Sequence, residues 1–144
     1  MPLFNAVDTI PLSDEQLLRV FKNFKLTDQI FQSQVFGIFN SGLFERLREQ
    51  HPDQFQLQEV QLNDEFGRWI REFIELDGQV IKTMSAEQYN TPCSGCLLSG
   101  DPAPVLIDGH HRCYKRWVMG EEAAQVWVCS PCITELVNVI KGPL

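Results

Sequence analysis

No stretch of this chain comes near the roughly 20 consecutive apolar residues that cross a bilayer, so a membrane-spanning helix is not expected. Met1 to Ile10 has neither a basic start nor an apolar run and carries Asp8, so a secretory leader is not expected either. Positive charge is scarce. Twelve Lys and Arg stand against 19 Asp and Glu, for a net charge of −7. Residues 1–90 hold 8 basic and 14 acidic side chains, and residues 91–144 hold 4 and 5. Such an acidic balance repels phosphate backbones, so any nucleic-acid binding would need a local basic patch. Internal repeats and low-complexity tracts are missing, and 44% hydrophobic with 22% charged residues is ordinary for a globular chain. The expectation is an intracellular, reducing compartment. There, closely spaced cysteines bind metal or do redox chemistry more often than they form structural disulfides.

What is present divides near residue 90, because all five cysteines lie beyond it. Before that point the chain reads as helices. Ser13 with Gln16 fits a capping box, followed by Leu17, Leu18, Phe21 and Phe24 at helical spacing. A second helix is expected from Thr27 with the face Ile30, Phe31, Val35, Ile38 and Phe39, and Gly42 offers a break. Leu43, Phe44 and Leu47 continue that pattern up to His51-Pro52. A third begins after Asn63 or Asp64, presents Phe66, Trp69, Ile70, Phe73 and Ile74, and stops at Gly78. Three Phe-rich amphipathic helices suit a small bundle.

Beyond residue 90 the period changes. Val105-Leu106-Ile107 reads as a strand, and Asp108-Gly109 as a two-residue hairpin turn. The alternation from His110 to Met119 predicts a second strand, and Gln125 to Cys129 a third. Ser130-Pro131 opens a last helix through Ile133, Leu136, Val137 and Ile140, ending at Gly142. The expected fold is therefore α+β. Residues 1–90 form a helical bundle and residues 91–144 a zinc-stapled antiparallel meander of zinc-ribbon type with a short C-terminal helix, the two packed as one unit.

The metal expectation rests on Cys93-x-x-Cys96 and Cys129-x-x-Cys132. Two intervening residues let a tight turn aim both sulfurs at one tetrahedral zinc, about 2.3 Å away, and a second pair closes the shell. Metal binding would supply folding free energy that so small a sheet lacks. A competing shell uses Cys93, Cys96, His110 and Cys113, since His110-x-x-Cys113 is also a legitimate ligand pair. A thioredoxin-like redox centre at Cys129-Ser130-Pro131-Cys132, or simply unligated buried thiols, are the alternatives.

Cys93-Ser94-Gly95-Cys96, then Val105-Leu106-Ile107-Asp108-Gly109-His110, then the basic Arg112, Lys115 and Arg116, together resemble a segment of the Kyakuja-Dileera-Zisupton (KDZ) transposases. The resemblance spans about residues 60 to 117, with Phe31, Gln34 and Trp69 compatible upstream. It implies that Asp108 stands at the family's strand-end aspartate. His110 stands where the family has Asn, and Ser94-Gly95 where it often has Pro-Ala. No partner carboxylates follow: Glu121, Glu122 and Glu135 read as turn and helix-surface residues. The implied protein is a domesticated, inactive piece in a nuclear protein, with nuclear location preferred to cytoplasmic.

The functional expectation is a zinc-stabilised protein-interaction module, not an enzyme, with a protein partner and no small-molecule substrate. Trp69, Trp117 and Trp127 are residue types that anchor interfaces. The alternative is a nucleic-acid-binding module using Arg112, Tyr114, Lys115 and Arg116, whose charges would meet phosphates while aromatic faces stack on bases. His111 with Cys113, two apart on a strand, is the one arrangement that hints at a nucleophile and base, but no orienting acid accompanies it.

Overall fold

The computed structural model describes residues 12–22, 29–33, 36–98 and 104–142, with the side chain of Phe21 outside that description. Helix α1 (Asp14–Phe21) starts where the capping box places it. Gln16 N–H donates to Ser13 Oγ at 3.2 Å, and Ser13 N–H donates to Gln16 Oε1 at 2.9 Å. The helix expected from Thr27 does not form over the described part of its range; Thr27, Gln34 and Val35 lie outside the described residues. Instead β1 (Ile30–Ser33) and β2 (Gly37–Asn40) pair as an antiparallel hairpin. Helix α2 (Ser41–Gln50) begins at Asn40, whose Oδ1 accepts from Leu43 N–H at 2.9 Å. It buries Leu43, Phe44 and Leu47, and ends before Pro52 as expected.

Strand β3 (Phe55–Gln61) follows, then α3 (Asp64–Phe73), capped by Asn63 Oδ1 on Phe66 N–H at 2.9 Å. Two short helices, α4 (Gly78–Thr83) and α5 (Ala86–Asn90), lead into β4 (Cys93–Cys96). The remainder is β5 (Val105–Asp108), α6 (His110–Val118), β6 (Ala123–Cys129), α7 (Pro131–Val137) and β7 (Asn138–Lys141).

The described residues build an α+β fold with seven α-helices and two sheets. One sheet has the order β1-β2-β7 and is antiparallel. The other has the order β3-β6-β4-β5; β4 runs parallel to β6, and the remaining pairs are antiparallel. Both sheets draw strands from either side of residue 90, through β3 on β6 and β2 on β7. The expected N-terminal helical bundle is therefore corrected to helices packed against sheets that long-range pairing creates.

The zinc-ribbon meander is corrected as well. The segment after Asp108 is not a hairpin strand but helix α6, with Gly109 as its N-cap. His110, Cys113, Tyr114 and Trp117 recur at i, i+3, i+4 and i+7, and this helical spacing overrides the alternation. Gly109 has φ of +92°, a left-handed conformation that turns the chain from β5 into α6. Likewise α7 stops at Val137, short of Gly142, and Asn138–Lys141 is recruited as the edge of the smaller sheet.

The core divides across the larger sheet. One cluster gathers Phe39, Leu43, Phe44, Phe55, Ile133 and Val137 with Cys96 and Cys129. The other gathers Leu62, Leu97, Ala124, Val126 and Val128 with Cys93 and Cys113. In the first, Ser130 is fully buried. Its Oγ caps α7 by accepting from Ile133 N–H at 3.4 Å and donates to Gln54 Oε1 at 3.0 Å. Ser130→Ala leaves the Gln54 oxygen without that donor and uncaps the helix. It should lower stability by about 1–2 kcal/mol, as read from urea denaturation, while an isosteric loss without effect would contradict this role.

Candidate thiol site and apolar pocket

The two cysteines of β4 are three residues apart in a pleated strand, so their side chains leave on opposite faces. Cys93 pairs with Val126 and Cys96 with Cys129 along β6. Cys96 and Cys129 thus sit side by side in the larger core cluster, both fully buried. Burial pushes the Cys96 thiol well up, and the neighbouring Cys129 pushes the same way. Cys129 Sγ lies 3.3 Å from Thr134 Oγ1, whose proton goes to Leu97 O at 2.8 Å. Cys132 stands half-buried in the first turn of α7.

On the other face, Cys93 meets Cys113 of α6, with the two Sγ atoms 3.1 Å apart. Cys93 Sγ also lies 3.4 Å from Gly109 O. Cys93 and Cys113 are 2% and 1% exposed. The Cys93 thiol is pulled below its ordinary value, first by the Cys113 hydrogen bond and further by Arg112, against the opposing effect of burial. Cys113 is pushed up by the same hydrogen bond and by burial. Arg112 is held by Pro92 O at 3.2 Å and Asp108 Oδ2 at 3.7 Å, while its enclosed Nε meets no acceptor.

Neither sequence-derived zinc shell is assembled. Cys93 and Cys96 are divided by the sheet, and no group of three or more His, Cys, Asp or Glu among the described residues could hold a metal ion. A tetrahedral site needs four converging donors, so the donors as arranged do not fit one. His110, the alternate ligand, is 8% exposed. It stacks on Phe31 at a centroid distance of 4.8 Å, and its Nε2–H donates to Leu106 O at 3.1 Å. Burial lowers its pKa to about 4, outweighing that hydrogen bond. His111 does not approach Cys113 as on a strand; its Nε2 accepts from Asp77 N–H at 3.0 Å. Asp108 is exposed, and its carboxylate faces Arg112 rather than a carboxylate cluster.

The basic and aromatic residues of 110–117 are mostly committed to the fold. Arg116 bonds Glu121 at 2.7 Å and Tyr89 O at 2.9 Å, and its guanidinium lies 4.3 Å from the Tyr89 ring centroid. Tyr89 in turn donates to Glu121. Lys115 Nζ is 5.6 Å from the same ring. Tyr114 OH accepts from Arg71 Nε at 3.2 Å, and Arg71 lies over Trp117 at 5.2 Å. These contacts tie α6 to α3 and α5.

Beside the thiol pair opens a pocket of about 560 Å³, lined among the described residues by Phe36, Val60, Asn63, Glu65, Phe66, Trp69, Pro104, Val105, Leu106, Cys113 and Val126. Among these described residues Asn63 and Glu65 alone are polar, and the Asn63 side-chain oxygen is already used as the α3 cap. Sequence reasoning found Trp69 and Phe66 as a helix face but gave no sign that strand residues Val60, Leu106 and Val126 complete it. No protein-family model matches the chain, and neither a curated protein nor a solved structure is significantly similar to it.

Proposed function

We propose that the protein is a non-catalytic interaction module whose pocket receives one bulky apolar side chain of a partner polypeptide, with Lys or Arg next to that anchor. The carrying observation is the pocket itself: about 560 Å³, walled by Phe66, Trp69, Val60, Leu106 and Val126, with Glu65 the one charged lining residue among the described residues. That volume falls in the range of built binding sites, and an aromatic-lined concavity is what hot-spot anchors fill. Glu65 is exposed and adjoins Asp64 at the start of α3, so the rim is acidic and complements a basic flank. The nucleic-acid reading has less support, because Arg112 and Arg116 are each only 19% exposed in their side chains and already engaged.

Selection of a random peptide library on the full chain tests this. Enriched peptides should carry a Leu, Phe or Trp beside a basic residue. Leu106→Trp, which fills the pocket, should weaken them about tenfold or more, and Glu65→Lys several-fold. Peptides without an apolar anchor, or equal binding by both variants and the parent, would overturn the proposal.

A further inference from the structure

We propose that Cys93 and Cys113 are a peroxide-reactive dithiol, in which Cys93 is oxidised first and Cys113 resolves it to a disulfide. The two belong to different elements, 20 residues apart, yet their sulfurs are 3.1 Å from one another. A disulfide needs about 2.05 Å, so the closure required is about 1 Å. Three features single out Cys93. It sits beside the N-terminus of α6, a nine-residue helix with no side-chain cap whose dipole favours an anion, and its thiol proton has Gly109 O as acceptor at 3.4 Å. The Arg112 guanidinium borders the same spot, with Nη2 2.8 Å from where a Gly109 Cβ would stand, and its charge favours a thiolate there. Gly109 has no Cβ, and one placed there would fall 2.7 Å from Cys93 Cβ. The close approach of thiol and helix therefore depends on that glycine.

Cys96 and Cys129 form an internal comparison. They are also neighbours and also buried, but they lie on the opposite face of the sheet, in an apolar cluster away from Arg112 and from the N-terminus of α6. Burial of both Cys93 and Cys113 favours a small neutral oxidant, and Cys113 lines the neighbouring pocket. Hydrogen peroxide meets both demands. The Cys93 thiolate attacks one peroxide oxygen, the O–O bond breaks, and the departing hydroxide takes a proton to become water. Cys93 is then a sulfenic acid. Cys113 sulfur attacks Cys93 Sγ, the S–O bond breaks, and the hydroxide leaves with the Cys113 proton as a second water. Two thiols lose two electrons, and one peroxide is reduced to two waters. A dithiol reductant reverses the change by exchange.

The test treats the full chain with stoichiometric hydrogen peroxide. Remaining thiols are then alkylated under denaturing conditions, and cysteine peptides are mapped by mass. The expected first product is a Cys93–Cys113 disulfide, two hydrogens lighter, with Cys96 and Cys129 still alkylated. Cys113→Ser should yield a dimedone adduct at Cys93 instead. Arg112→Gln, checked for native circular dichroism, should slow oxidation several-fold, because less of Cys93 is then thiolate. Oxidation appearing first at Cys132 or between Cys96 and Cys129, or a rate unchanged in a folded Arg112→Gln, would overturn the proposal. The map of the unmutated chain decides the matter even if a variant fails to fold.

Discussion

Replacing Gly109 with alanine should lower stability by about 3 kcal/mol or more, well beyond the loss from the same change at Gly120. Both glycines have left-handed backbone, with φ of +92° and +85°. An alanine in either place bears the strain of that conformation, about 1–2 kcal/mol. At Gly120 the added methyl meets nothing within 4 Å, so strain is the whole effect. At Gly109 it meets Cys93 Sγ and Cβ, and Arg112 Nη2 at 2.8 Å. The Cys93 Cβ is fixed by the central strand β4, so it cannot rotate away, and overpacking adds about 1–3 kcal/mol. Parallel urea titrations of the two variants give the comparison. Equal losses would mean that β4 and α6 do not meet closely at Gly109, and the thiol site would lose its geometric basis.

Acidification should destabilise the protein through His110, by up to about 3 kcal/mol. In the fold His110 is neutral, wedged between Phe31 and Trp69, whose ring centroids lie 4.8 and 6.0 Å away. Burial lowers its pKa to about 4 from 6.5, with smaller contributions from His111 and Arg112 in the same direction. Between those values the unfolded chain binds the proton and the folded chain does not, so stability falls as pH falls. The contribution is fully present above about pH 6.5. It is lost progressively down to about pH 4, where a gap of that size is worth about 3 kcal/mol. Denaturation midpoints at pH 7, 5.5 and 4 should show the decline, and His110→Phe should flatten it. A slope over this window that is identical in the variant would show that His110 is not held neutral by burial.

These two residues also show where sequence reading succeeds and fails. Caps are local, so Ser13 with Gln16, Asn63 and Ser130-Pro131 mark helix starts correctly, and Pro52 marks an end. Strand β6 was legible from its Val-Trp-Val run. Strand β3 was not read, although Phe55-Gln56-Leu57-Gln58 alternates, because its partner lies about 70 residues onward. Ile30, Phe31, Ile38 and Phe39 satisfy a helical face as well as a hairpin, and only pairing with β7 decides between them. At Asp108-Gly109 the change of direction was legible, but a left-handed glycine can turn a hairpin or start a helix. Cys93-x-x-Cys96 lies within strand β4 rather than in a turn. Two intervening residues bring sulfurs together in a turn and send them apart in a strand. Cys113, read as a ligand of the competing shell together with Cys93, lies with its sulfur 3.1 Å from that of Cys93.

The most direct test of the account follows the backbone amides of the isotopically labelled chain while a selected apolar-basic peptide is titrated in. Shifts concentrated at Val60, Phe66, Leu106 and Val126, together with the Trp69 indole N–H, are the result the pocket predicts. Shifts along the exposed edge residues Ile30 and Ile140, or over Arg112 to Arg116, with the pocket residues unmoved, would contradict it.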